Sequence, residues 1–281
     1  MTITAATASS ASAATHTLLR GQSPLLISVP HAGTAFPKEL APLLTPLALT
    51  IPDTDWHVPE LYDFAPALGA TLLLARYSRY LIDLNRPPDD AALYAGAAKT
   101  GLCPTLSFDG QPLYLAGEAA LAGDEIGRRV RRYWQPYHDA LRAELEFTVR
   151  RHGYALLLDA HSIRSVVPRL FSGRLPDVNV GTNSGRSCAA SLSERLRSRL
   201  VAAPRWTHVI DGRFKGGYIT RHYGQPDSNV HAVQFELVQL NYMNEAPSAA
   251  LQAPAYEKER AAPLRTLLLE LLQTMLEWRP G

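Results

Sequence analysis

The chain has 281 residues, 46% apolar and 19% charged, with a formal charge of +2. That length suits one large domain or two small ones, and the composition is that of a globular protein able to bury a sizeable core, with no basic surplus calling for nucleic acid. Cys103 and Cys188 are the only cysteines and neither sits in a CxxC pair, which excludes a disulfide framework, argues against a thiolate metal site and fits a reducing cytoplasm.

Residues 1–15, MTITAATASSASAAT, lack the basic start and apolar block of a signal peptide and read as a disordered tail ahead of a single domain over 16–281. No apolar run approaches the ~20 residues of a membrane helix. Residues 24–29 read as a strand running into Pro30 and His31. Residues 55–68 have helical apolar spacing, with Pro59 and Pro66 inside it. Residues 70–76 and 79–84 read as two strands joined tightly, and 87–117 as a long surface excursion. A long helix is expected over 122–151, apolar at Ile126, Val130, Tyr133, Trp134, Tyr137, Leu141 and Leu145, and kinked or interrupted at Pro136.

Residues 154–159 form a short apolar strand, 184–201 a helix, 207–211 and 231–238 further strands, and 256–278 a Leu-rich closing helix. The arginines at 128, 129, 131 and 132, and at 195, 197 and 199, fall in helical patterns and read as solvated faces. Strands interleaved with helices predict an α/β fold: a mixed, mainly parallel sheet flanked by helices on both faces.

Ligands of such sheets gather beyond the carboxyl ends of the strands. Four expected strand ends carry polar residues: His31, then Asp83-Leu84-Asn85-Arg86, then Asp159-Ala160-His161-Ser162, and Glu236 within Phe-Glu-Leu. Alone, each histidine reads as a satisfied turn residue. Together at one edge of the sheet, His31 and His161 read as imidazole ligands of one metal ion, with zinc the first choice. An acidic third ligand is offered by PDTDWH: Asp55 at a helix start is favoured, Asp53 is the fallback, and His57 is weaker.

Glu236 sits in an apolar strand. It reads either as a salt-bridged core acid or as a general base beside an activated water. Arg86 follows a strand and precedes two prolines, a placement suited to gripping a carboxylate, with Asn85 beside it and Asp83 supporting from behind. The glycine-punctuated loop 212–224 holds Arg213, Lys215, Tyr218, Arg221 and His222 and could bind a dianion. It contains no phosphate-loop pattern. Residues 171–185 read as a plain connecting loop, with Arg174 and Asn183 as possible contacts. No GxSxG elbow supports a serine hydrolase.

Six stretches in chain order, VPHAGT, PDTDWH, SRYLIDLNRPPD, DAHSI, KGGYITRHYG and VQFEL, resemble the N-formylglutamate amidohydrolase (N-formylglutamate deformylase) family of histidine degradation, over roughly residues 24–245. That family is distantly similar to zinc carboxypeptidases. The shared features are Asn85-Arg86, His161-Ser162 and Glu236 in Phe-Glu-Leu, while the carboxypeptidase HxxE is replaced by His31-Ala32-Gly33-Thr34.

The resemblance implies a phosphorylase/hydrolase-like, zinc-carboxypeptidase-like fold and cytoplasmic, metal-dependent hydrolysis of N-formyl-L-glutamate to formate and L-glutamate. The metal would be held by His31, Asp55 and His161, Glu236 would be the base, and Asn85, Arg86, Lys215, Tyr218 and Arg221 would meet the small-molecule substrate. A metal-dependent amidohydrolase acting on another N-acyl amino acid is the main rival, and a non-enzymatic metal or acidic-ligand binder the lesser one. The native metal and the oligomeric state stay open.

Overall fold

The structure, a computed structural model, describes residues 14–91, 100–245 and 253–281. The expected tail over 1–15 therefore lies almost wholly outside the described residues. The seven strands are β1 (His16–Leu19), β2 (Leu25–Val29), β3 (Thr71–Ala75), β4 (Ala155–Ile163), β5 (Val178–Gly181), β6 (His208–Ile210) and β7 (Val230–Val238). They form one sheet in the order β1-β3-β2-β4-β7-β5-β6. β1 is antiparallel to β3, and β5 to β7; the other neighbours are parallel. The sheet is thus mixed and mainly parallel, as the sequence predicts.

Among the described residues seven α-helices accompany it: α1 (Pro46–Leu49), α2 (Val58–Leu61), α3 (Glu125–Arg129), α4 (Gln135–His152), α5 (Ala190–Val201), α6 (Tyr218–Tyr223) and α7 (Lys258–Glu277). Among the described residues no helix is long and apolar enough to cross a membrane.

The alternation of side chains along the central strands decides where chemistry can sit. Leu156, Leu158 and Ala160 of β4 and Val233, Phe235 and Leu237 of β7 point to one face, packed under α2, α5 and α7. Ala155 and Leu157 of β4 and Ala232 of β7 point to the other, under α4 and α6. By the same parity Asp159, His161, Gln234 and Glu236 lie on that second face, and the register pairs His161 with Glu236 and Asp159 with Gln234. The first face is apolar along these strands except at Ser162 and His231. The other is apolar at the amino ends of the strands and polar toward the carboxyl ends.

Several expected boundaries move. Residues 79–84 are not a strand but a buried turn: Leu81 N–H donates to Ser78 O (2.9 Å) and Asp83 N–H to Leu102 O (2.7 Å). Tyr80, Leu81 and Ile82 are all buried, so the apolar run reflects burial on several sides rather than a sheet. β4 continues to Ile163, which puts His161 inside the strand. The helix over 55–68 is split, because His57 adopts a left-handed φ of 60° and each proline lies in the first turn of its own short segment, α2 and a 3-10 turn at Ala65–Leu68. β1 was unassigned in the sequence, and β5 lay inside the stretch taken for a loop. The helix expected from 184 begins only at Ala190, since Asn183, Ser184 and Gly185 all have positive φ. Within the supposed surface excursion 87–117, residues 92–99 lie outside the described part, while Leu102, Phe108, Leu113 and Tyr114 are buried.

The helix over 122–151 starts at Glu125 and runs on through Pro136 to His152, its one irregularity being a π-helical turn, Val130–Trp134, between α3 and α4 and just before the proline. Such a turn adds a residue and shifts the helix face by about 100°. Hence Ile126, expected inside, is 39% exposed, while Arg129, expected in solvent, is 1% exposed. Arg129 donates to Leu81 O (2.9 Å) and to the Tyr114 hydroxyl (2.7 Å).

Within α4, His138 is buried; its Nε2–H donates to Leu84 O (2.8 Å), and its Nδ1 lies 3.0 Å from the Tyr223 hydroxyl. Burial pushes its pKa down to about 3 from 6.5. The folded state therefore holds His138 neutral, and its unfolded counterpart takes up a proton first as the pH falls. Stability should drop between about pH 6.5 and pH 3, by at most about 1.4 kcal/mol per pH unit from this residue. Urea melts of His138→Gln over that range should show a shallower acid slope than the parent; equal slopes would assign the lability elsewhere.

Candidate functional site

The site is assembled from two strands and the turns that follow β2 and β3. Pro30 carries the chain out of β2 to His31. Gly33 then passes against residues 76–77, where an added Cβ would lie 2.3 Å from Tyr77 O, so only glycine fits this close approach. The Asp55 N–H donates to His31 O (3.1 Å), tying the PDTDWH turn to the histidine.

His31, Asp55 and His161 converge, with one ligating atom from each lying within 4.8 Å of the others. Asp55 Oδ2 is 2.9 Å from His161 Nδ1 and 3.8 Å from His31 Nδ1. All three side chains are buried. The opposite ring nitrogens are held by carboxylates, His31 Nε2 by Asp83 Oδ1 (2.7 Å) and His161 Nε2 by Asp159 Oδ1 (2.9 Å). An imidazole whose far N–H is fixed on a carboxylate presents its other nitrogen as a ligand, the usual support of a metal-binding histidine. Two histidines and one carboxylate form a donor set that suits a divalent ion such as zinc.

Asp53 lies outside this cluster. Its Oδ2 accepts from the Tyr80 hydroxyl (2.6 Å) and Phe108 N–H (2.7 Å), and burial raises its pKa. His57 turns away, with Nε2–H on Pro254 O (2.7 Å).

Electrostatics separate the members. Burial lowers the pKa of His31, and Arg79 adds to that effect. Burial also opposes charge on His161, but Asp159 and Asp55 outweigh it and hold the ring well above its ordinary value. Burial would raise Asp55; His161, His31 and Arg79 together bring it below the ordinary value. Arg79 anchors the acidic side through Nη2 on Asp83 Oδ2 (2.6 Å) and Nη1 at 3.7 Å from Asp55 Oδ1. Glu236 is buried beside His161, with one oxygen accepting from Gln234 Nε2 (3.1 Å). Burial raises its pKa to about 8.

These groups open onto a cavity of about 110 Å³ lined by His31, Arg79, Arg86, His161, Arg213 and Glu236 among others. Its arginine-bearing lining suits an anionic ligand. Of the residues expected on the substrate, Asn85 and Arg86 line the cavity, with Arg86 Nη2 donating to Thr100 Oγ1 (2.6 Å). Lys215, Tyr218 and Arg221 do not line it. Tyr218 is drawn into a ring cluster with Trp134, His138 and His222, and Arg221 Nε donates to Gly216 O (2.7 Å).

The same loop delivers Arg213 instead. Its Nε donates to Leu170 O (2.8 Å), and no carboxylate pairs with it among the described residues. Arg79 and Gln234 escaped the sequence reading. The i,i+4 spacing of Arg79 and Asp83, and the strand parity of Gln234 with Glu236, were the available signals.

The family model for N-formylglutamate amidohydrolases matches residues 23–243. The chain belongs to that family. Two family relatives, each called N-formylglutamate deformylase, come from Pseudomonas aeruginosa strain PAO1 and Pseudomonas putida. The first is 52% identical over 260 residues, covering 92% of this chain and 95% of the relative. The second is 50% identical over 259 residues, covering 92% and 94%. The crystal structure of the N-formylglutamate amidohydrolase from Ralstonia eutropha JMP134 superposes with a TM-score of 0.75 at 25% identity, over 93% of this chain and 97% of that one.

The burial of Glu236 has a measurable consequence. An acid whose folded pKa is raised from 4.5 to about 8 weakens the fold progressively as the pH rises between those values, because ionisation is easier once unfolded. Chelator-treated Glu236→Gln should therefore melt at a higher temperature than the parent at pH 9, and the gap should close toward pH 4.5. A gap independent of pH would show that ionisation of Glu236 is not its source.

Proposed function

We propose that this protein hydrolyses N-formyl-L-glutamate to formate and L-glutamate, using one divalent ion, zinc before others, held by His31, Asp55 and His161. The observation that carries this reading is the cluster itself: two carboxylate-backed histidines and an aspartate beside a buried glutamate, at the floor of an arginine-lined cavity. The family membership and the printed names of its relatives supply the substrate. As the resemblance implies, the reaction serves histidine degradation, and the buried free thiols of Cys103 and Cys188 fit a reducing cytoplasm.

A divalent ion bound here would polarise the formyl carbonyl and acidify a water. The protein does the rest. Glu236, as its carboxylate, takes a proton from the attacking water and delivers it to the departing nitrogen as the C–N bond breaks. The buried position keeps bulk water from competing for that proton. Arg86 and Arg213 take the two carboxylates of the substrate and fix the amide over Glu236. Arg79 stays with Asp55 and Asp83, holding them ionised.

The test couples metal to turnover: strip the protein with chelator, return zinc, and follow formate release from N-formyl-L-glutamate. Loss and restoration support metal, reaction and substrate together. Zinc uptake without formate release redirects the site to other N-acyl amino acids. Activity indifferent to metal removes the proposal.

Within the same assay His31→Ala and His161→Ala should lose both zinc and turnover. Glu236→Gln should keep zinc and lower kcat about 10²–10⁴-fold. Arg213→Met should raise KM for N-formylglutamate about 10–100-fold, the worth of a hydrogen bond to a charged group, with little effect on N-formylglutamine. An equal effect on both substrates would take the side-chain carboxylate away from Arg213.

A further inference from the structure

Asn85 was expected on the substrate, yet its amide is engaged on both sides by the protein. Its Oδ1 accepts from Ile219 N–H (2.7 Å), and its Nδ2 donates to Asp159 Oδ2 (3.0 Å) while lying 2.8 Å from His161 Nε2. Its main-chain N–H donates to Asp83 Oδ1 (2.9 Å), and its carbonyl accepts from Tyr218 N–H (3.2 Å). One residue thus touches the carboxylate behind each histidine, Asp83 behind His31 and Asp159 behind His161.

We propose that Asn85 is a positioning residue for the histidine pair: its main chain steadies Asp83, and its amide pins Asp159 so that His161 keeps one ring orientation toward Asp55 and His31. The inference rests on the proposed metal site and goes beyond it by assigning what holds that site in shape.

Two further features argue for this role. Gly217 is built around the amide, since a Cβ there would lie 2.3 Å from Asn85 Nδ2. The start of α6 is also docked on Asn85 through the Tyr218 and Ile219 N–H groups, and from the same helix Thr220 Oγ1 donates to Asp159 Oδ2 (3.2 Å). The position needs a donor facing a carboxylate and an acceptor facing a peptide N–H, at one fixed length. Asparagine supplies both. Aspartate would set a second negative charge against Asp159, and leucine would leave Asp159 and the Ile219 N–H each short of a partner.

The experiment measures zinc affinity of the full chain by competition with a colorimetric chelator, and KM for N-formylglutamate at saturating zinc, in wild type, Asn85→Asp and Gly217→Ala. Asn85→Asp keeps the shape and removes the donor; Gly217→Ala keeps the amide and pushes it aside. Both should bind zinc about 10–100-fold more weakly, with KM at saturating zinc within about twofold of wild type. Zinc affinity within about twofold of wild type, with a KM raised tenfold or more, would make Asn85 a substrate contact and overturn the proposal. If Asn85→Asp does not fold, Gly217→Ala decides on the same two readouts. Wild-type protein that takes up no zinc sinks the metal site itself, a different result from wild-type uptake matched by both variants.

Discussion

Asp55, Asp83, Asp159 and Glu236 are all buried around the His31–His161 pair. Four negative charges cannot share a poorly hydrated space without compensation. Arg79 answers two of them, reaching Asp83 directly and Asp55 at longer range. A proton on His161, between Asp55 and Asp159, answers more. Glu236 tends to stay protonated chiefly because it is buried, with the charges of Asp55 and Asp159 adding to that tendency. A divalent ion would take the place of the His161 proton and relieve Glu236 at once. The hydrogen-bonded shell keeps His31, Asp55 and His161 close together despite their burial.

Much of this was legible in the sequence for a definite reason. Strands buried on both faces read as continuous apolar runs, so a histidine or glutamate inside one or just past its end stands out, as His161, Glu236 and His31 do. Asp55 could be ranked above Asp53 because it sits nearer the helix start. What the sequence hid was partnership. Which of Arg213, Lys215, Tyr218 and Arg221 lines the cavity depends on which way a glycine-rich loop turns. The retention of the Asn85 amide by Asp159 and Ile219 depends on long-range approach of α6. Neither has a local pattern.

The fold shows the same division. β4 and β7 declare themselves by composition, whereas β1 and β5 are short and earn their place only by pairing with neighbours distant in sequence. Residues 79–84 failed for the opposite reason. Their apolar run is as strong as that of a strand, but the backbone bonds to Ser78 and Leu102 instead of a neighbouring strand. That irregular turn is also what brings Arg79, Asp83 and Asn85 to one place, whereas a regular strand would keep them on one face but spread them over about 20 Å.

The π-helical turn at Val130–Trp134 reaches further than helix geometry. Trp134 lies within it, stacks on His138 with ring centroids 3.7 Å apart, and donates its indole N–H to Arg86 O (3.0 Å). The extra residue is thus a phase adjuster: it lets α4 face the sheet while the segment before it faces Leu81 and Tyr114 through Arg129. Deleting one residue here would leave a smoother helix, yet it would swing the preceding segment by about a quarter turn and withdraw the indole from beneath Arg86. The length of α3–α4 is therefore tied to the placement of the arginine whose carbonyl Trp134 holds.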